Sequence, residues 1–280
     1  MISEQIGVFS RTFARPAIDA VLDVICAHGL SNVHFNFSSA GLTSLPDAIG
    51  RELCDEIREK FEDRRLVMTS VSATFNAIHP DVRQRELDIR RACGIIESCP
   101  RIGAPMASLC SGTRDPQDMW KRHAANDLPD AWADLLATLG RLLPVAEAAA
   151  VTLGIEPEHN NVVNSAEKAR RLLDELRSPS LRIILDGANL FDSAEPPAQA
   201  DVLSRAVDLL GSDIVLAHAK DIPHPARPSY AAGRGLLDWS IYLGVLNKSG
   251  YGGPLVLHGL REDEVPGSIQ FLKDKLNAIY

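Results

Sequence analysis

Four apolar runs in the second half of the chain each end in a residue that can hold a metal ion or move a proton. Leu153, Gly154 and Ile155 lead to Glu156; Ile183, Ile184 and Leu185 lead to Asp186. Val215, Leu216 and Ala217 lead to His218; Leu255, Val256 and Leu257 lead to His258. Taken singly, a carboxylate in such a place caps the next helix and a histidine is a satisfied polar residue. Repeated at four successive run ends, they describe a site. Two carboxylates and two imidazoles make a mixed nitrogen and oxygen donor set. Such a set suits a divalent metal ion of the Mn, Co, Zn or Fe kind, with Mg left open, better than Ca, which takes oxygen ligands only. Serine-nucleophile, H-E-x-x-H and P-loop patterns are absent from the sequence.

For those four residues to converge, their elements must lie side by side. β-rich runs at residues 7–10, 32–37, 66–73, 106–110, 152–156, 181–186, 214–218 and 254–258 alternate with helical stretches. The helices are expected at 16–28, 46–61, 81–98, 165–177, 197–210, 237–249 and 264–276, with one more carrying Trp132, Leu135, Leu139 and Leu143. Pro144 is expected to kink or split that one. Side chains on a strand alternate with period two. Gly154, Ile184, Leu216 and Val256 therefore share a face with the four polar ends and should fill the space beneath them. Alternating strands and helices imply parallel β-α-β crossovers. Eight such units predict an α/β fold, a single (β/α)₈ TIM barrel occupying residues 1–280 as one domain. An open doubly wound sheet is the alternative, but Ser10, Arg11 and Thr12 stand where its glycine-rich phosphate turn belongs.

The chain resembles the xylose isomerase-like barrel superfamily, the sugar phosphate isomerase/epimerase group, from about Gly7 to Leu272. The segments that carry the resemblance are Gly154-Ile155-Glu156-Pro157-Glu158, Leu185-Asp186-Gly187-Ala188-Asn189-Leu190 and His218-Ala219-Lys220-Asp221. Two more are Gly233-Arg234-Gly235-Leu236-Leu237-Asp238-Trp239 and the stretch from Gly250 to His258. The resemblance implies that Glu156, Asp186 and His218 are metal ligands. It also implies a fourth ligand ending strand eight, where the family has glutamate and this chain has His258. A histidine three residues after the strand-six aspartate is common in the epimerases; here Asn189 stands there, and it cannot titrate.

Further candidates for substrate contact are His34, Asn36, Asn76, His79, Glu158, Asn189, Lys220 and Arg234. Histidines, asparagines and Glu158 would read hydroxyl groups, with Glu158 a second base, and Lys220 and Arg234 would hold an anionic group. The structural alternatives are loop and cap chemistry for the former, and ion pairing with Asp221 or Asp238 for the latter. Arg114 and Trp120, in the long connection 111–128, could form a lid, and Glu262 could replace the missing carboxylate.

Composition sets the partners. Lys and Arg number 29 against 37 Asp and Glu, a formal charge of −8. The basic run Arg83, Arg85, Arg90 and Arg91 is interleaved with Glu86 and Asp88 and reads as a solvated helix face. Nucleic acid is therefore not an expected partner. No apolar run of membrane-spanning length and no leader pattern is seen, so a cytoplasmic protein without membrane contact is expected. The 5 cysteines form no C-x-x-C pair and are expected as buried free thiols. The family resemblance, rather than composition, implies a small-molecule sugar as the expected partner and a homo-oligomer as a possible assembly.

Metal, carboxylate and imidazole together suit removal of a proton next to a carbonyl through an enediolate. Glu156 or Glu158 would take the proton, and His258 or water would return it. A divalent-metal-dependent sugar isomerase or epimerase is the first expectation. A lyase or dehydratase acting on a keto-sugar or keto-glycoside is the second. An endonuclease IV-like enzyme and a catalytically silent sugar-binding barrel follow.

Overall fold

The computed structural model describes residues 5–191, 199–226 and 228–279. Eight parallel strands close in sequence order, with β1 (Ile6–Phe9) bonded to both β2 (Asn32–Phe35) and β8 (Leu255–Leu257). Between them run β3 (Val67–Ser72), β4 (Met106–Cys110), β5 (Thr152–Glu156), β6 (Leu181–Asp186) and β7 (Ile214–Ala219). The helices are α1 (Ile18–Ala27), α2 (Arg51–Asp63), α3 (Val82–Ile102), α4 (Pro129–Ala149) and α5 (Ala166–Leu176). α6 (Gln199–Leu210), α7 (Trp239–Lys248) and α8 (Val265–Ile279) complete the ring. This is the (β/α)₈ TIM barrel. Residues 197–198, where the sixth helix was expected to begin, lie outside the described residues.

Two apolar cores follow from the strand pleat. The larger lies between sheet and helices, and a small separate cluster of Met106, Ile184, Leu216 and Val256 fills the barrel. Three of these are residues that period two assigned to the interior. Gly154 makes the cluster fit: a Cβ there would lie 2.7 Å from Ile184 Cγ1 and 2.9 Å from Met106 Sδ. Gly154→Ala should overpack the barrel and cost about 1–3 kcal/mol, read as a lower midpoint in urea denaturation.

Several element boundaries differ from expectation. α4 runs unbroken through Pro144, and α3 runs past Pro100 to Ile102. In α4 the buried residues Leu139, Leu142, Leu143 and Ala146 pack on both sides of the proline, so tertiary packing outweighs one lost hydrogen bond. α2 begins only at Arg51, with Gly50 as its N-cap. β2 stops at Phe35, where the Asn36 side chain accepts from Ser38 N at 2.9 Å and starts a short 3₁₀ turn. Ser165 caps α5 as expected, its hydroxyl accepting from Lys168 N. All five cysteines are free; Cys54, Cys99 and Cys110 are buried, whereas Cys26 is exposed. Among the described residues no helix is long and apolar enough to cross a membrane.

Candidate metal centre and sugar cavity

Parallel strands pointing one way bring their carboxyl ends to one face of the barrel. Asp186 and His218 are partners in the β6–β7 register, and His258 follows β8 by one residue. Asp186 is fully buried and His218 nearly so. The Tyr242 hydroxyl, from α7, donates toward Leu185 O at 2.9 Å and His218 O at 3.1 Å, tying together the two strand ends that carry them.

One donor atom each from Asp186, His218 and His258 lies within 4.8 Å of the others. Asp186 Oδ2, His218 Nε2 and His258 Nδ1 are also buried with no hydrogen-bond partner. Buried polar atoms are almost always satisfied, so three orphans in one place require an explanation. Two imidazoles and one carboxylate are a donor set of the kind that could hold a divalent cation.

Glu156, expected as a ligand, stands beside this cluster rather than in it. Its Oε1 lies 3.1 Å from His218 Nδ1 and accepts from Asn189 Nδ2 at 2.6 Å. A carboxylate behind a ligating histidine fixes the ring's tautomer and orientation. Burial works to raise the Glu156 carboxyl, but His218, Lys220 and Asn189 outweigh it and hold it below the usual range. Asp186 is pushed up, mainly by burial. Burial works to lower His218, but Glu156 and Asp186 together outweigh it and raise its pKa. His258 is driven well down by burial and by His218, which leaves a neutral imidazole able to donate a lone pair.

Four rings lie side by side at this face. His218 and His258 lie parallel at 4.7 Å, and Phe9 sits 5.2 Å from His258 and 4.5 Å from His34. Above them opens a cavity of about 540 Å³, lined in part by His34, Glu156, Glu158, Asn189, Lys220 and His258. Burial raises the Glu158 carboxyl to about 7, with Lys220 opposing and Glu156 and Asp186 adding to the rise. Lys220 Nζ donates to Asn189 Oδ1 and lies 3.7 Å from Asp186 Oδ2. Burial works against the Lys220 charge, yet Asp186, Glu158 and Glu156 raise its pKa overall.

Residues 22–275 match the xylose isomerase-like TIM barrel family. The chain belongs to that family. No curated protein matches the sequence. Among solved structures it is similar to the apo form of the 3-keto-D-glucoside 4-epimerase YcjR from E. coli, with a TM-score of 0.72, 20% identity and 98% of each chain covered. A D-tagatose 3-epimerase-like protein gives a TM-score of 0.77 at 15% identity, again over 98% of each chain. An IolI protein with a bound zinc atom gives 0.72 at 16% identity, over 98% of this chain and 97% of that one. At these identities the likeness is one of fold.

Within this family barrel, not every expected residue reaches the cavity. Asn76 is consumed by the neighbouring loop: its Nδ2 donates to Thr113 O at 2.9 Å and its Oδ1 accepts from Thr113 N at 2.9 Å. Gly112 permits that approach, since a Cβ there would lie 2.2 Å from Asn76 Oδ1. His79 is bound to the backbone of Asp81 and Pro116, away from the cavity wall. Arg234 is exposed and off the wall. The reason is Asp221, whose carboxylate accepts from the backbone N–H groups of Ile222, Gly233 and Leu237 and from the Trp239 indole, each at 2.9 Å. That clasp folds residues 233–239 against β7 and turns Arg234 outward. Arg114 is spent on Ile78 O and Asp134, and Glu262 on Arg15.

Other wall residues were not singled out in the sequence. Phe9, Ser72 and Ser108 line the cavity. Strand parity carried along β1, β3 and β4 would have found them. Ser108 Oγ lies 3.0 Å from His34 Nε2 and holds that ring in place. Tyr230, also on the wall, sits in a loop whose course no local pattern announces.

Proposed function

We propose that the chain is a sugar isomerase or epimerase that moves a proton next to a carbonyl, with a divalent ion held by Asp186, His218 and His258. The observation that carries this reading is the set of three unbonded, buried donor atoms at the floor of a sugar-sized cavity. A divalent ion bound there would polarise the substrate carbonyl and stabilise the charge that develops on its oxygen.

The chain's own groups divide the remaining work. Asn189 and His218 pin the Glu156 carboxylate, so it orients His218 and is poorly placed to take a proton. Glu158 faces the cavity, and its carboxyl at about 7 is matched to proton transfer near neutrality. It is the base in this reading. Lys220, against Asn189 and the acids, holds the Glu158 side of the cavity electrically balanced. His34, Ser72 and Ser108 also line the cavity and offer hydroxyl-binding groups.

Returning the proton to the neighbouring carbon gives an isomer, and returning it to the same carbon from the other face gives an epimer. Incubating metal-loaded protein with a panel of ketoses and keto-glycosides in D₂O tests the reaction. Deuterium at the carbon next to the carbonyl, without loss of a substituent, is the expected result. Elimination would replace the assignment with a lyase, and no exchange on any member would overturn proton transfer.

A further inference from the structure

The mouth of the cavity differs in chemistry from its floor. Trp120, in the β4–α4 connection, and Tyr230, in the β7–α7 connection, both line it, and they are 49% and 47% exposed. Large aromatic side chains left this open to water at the rim of a cavity mark a recognition surface.

Both residues sit on anchored backbone, that of Tyr230 through its carbonyl, which accepts from Asp221 N at 2.8 Å. The backbone on both sides of Trp120 is tied down by buried side chains: Asn161 Nδ2 donates to Met119 O at 3.1 Å, and the Thr113 hydroxyl donates to Lys121 O at 2.8 Å. Trp120 N itself donates to Asp118 Oδ1 at 2.9 Å. On the other side, the Lys220 ammonium lies 5.5 Å from the Tyr230 ring centroid. Gly259 leaves room for that pair, since a Cβ there would come within 3.2 Å of both side chains. The loops are built to hold two exposed aromatic surfaces over the cavity, which lowers the ordering cost of binding a flat ligand.

The charge on the wall opposes a phosphate. Arg11 and Lys220 are the arginine and lysine that line the cavity among the described residues. Lys220 is already engaged with Asn189 and three carboxylates, and Arg11 is an exposed residue of the 3₁₀ turn after β1. Glu156 and Glu158 share the wall, so a dianion would meet acids with one uncommitted cation to offset them.

We infer that the mouth is an aglycone subsite, and that the substrate is an unphosphorylated glycoside whose ring aglycone lies against Trp120 and Tyr230 while its sugar occupies the floor. This rests on the sugar reading proposed above and extends it. In a glycoside the anomeric carbon is locked as an acetal, so the carbonyl that proton transfer needs must lie at another ring carbon. The reaction that supplies the substrate is then the oxidation of a ring hydroxyl.

The chain carries its own reporter. Of its 3 tryptophans, Trp132 is 8% and Trp239 3% exposed, so quenching of the exposed indole reads Trp120. The test titrates metal-loaded protein with phenyl and methyl glycosides of glucose, galactose, mannose and xylose, and with glucose 6-phosphate beside glucose. Affinity is read by calorimetry and location by fluorescence. At least one phenyl glycoside should bind about fivefold or more tighter than its methyl counterpart and quench the fluorescence. The preference should vanish in Trp120→Ala, weaken in Tyr230→Ala and return in Trp120→Phe, and the phosphate should bind no tighter than glucose. Equal binding of phenyl and methyl glycosides, a preference that survives both alanine variants, or tighter binding of the phosphate overturns the subsite. Binding of the phenyl glycoside without deuterium exchange on the corresponding keto-glycoside would leave the subsite standing and remove the proton-transfer reading. Exchange on free ketoses with no phenyl preference would do the reverse.

Discussion

Glu158→Gln should lower kcat by about 10²–10⁴-fold while leaving the bound metal and the fold unchanged. The amide keeps the shape and hydrogen-bonding capacity of the side chain and removes its ability to take a proton. Steady-state kinetics on whichever ketose or keto-glycoside exchanges deuterium, together with metal analysis of the same sample, measures both halves of the expectation. The argument rests on the difference between two carboxylates two residues apart. Glu156 is fixed by His218 and Asn189, with its pKa held down. Glu158 lines the cavity with its carboxyl raised to about 7, chiefly by burial. If Glu156 were the base, Glu158→Gln would keep most of the rate.

The second large effect separates a ligand from the group behind it. His258→Ala removes one of three donors and should abolish tight metal binding. Glu156→Gln should weaken metal binding by about 10–100-fold, as loss of an outer hydrogen-bonding partner does, and leave a site that still loads at high metal concentration. Competition titration against a chelator of known affinity reads the two variants on one scale. Equal losses in both would put Glu156 among the ligands, as the family resemblance alone implies.

The barrel and its floor were legible in the sequence because both follow from short-range rules. Period two along β5 to β8 placed Ile184, Leu216 and Val256 in the interior and brought Asp186, His218 and His258 to one face. What the sequence left open depends on how loops return across the barrel mouth. Arg234 looked like an anion ligand, yet Asp221 receives four N–H groups and turns it outward. Asn76 looked like a substrate contact, yet it satisfies the backbone of Thr113. The split between Glu156 and Glu158 depends on Asn189 and His218, which are distant in sequence from both. Pro144 shows the same limit in a helix, where packing against the barrel overrides a local breaker.

The claim on which the rest depends is that Asp186, His218 and His258 hold a divalent ion. Elemental analysis of the protein after loading with Mn, Co, Zn or Fe and dialysis tests it most directly. About one divalent ion per chain should remain in the native protein, and close to none in Asp186→Ala and His218→Ala variants shown by circular dichroism to be folded. A native protein that retains no ion from any of these loadings, or folded variants that keep full occupancy, would contradict the account.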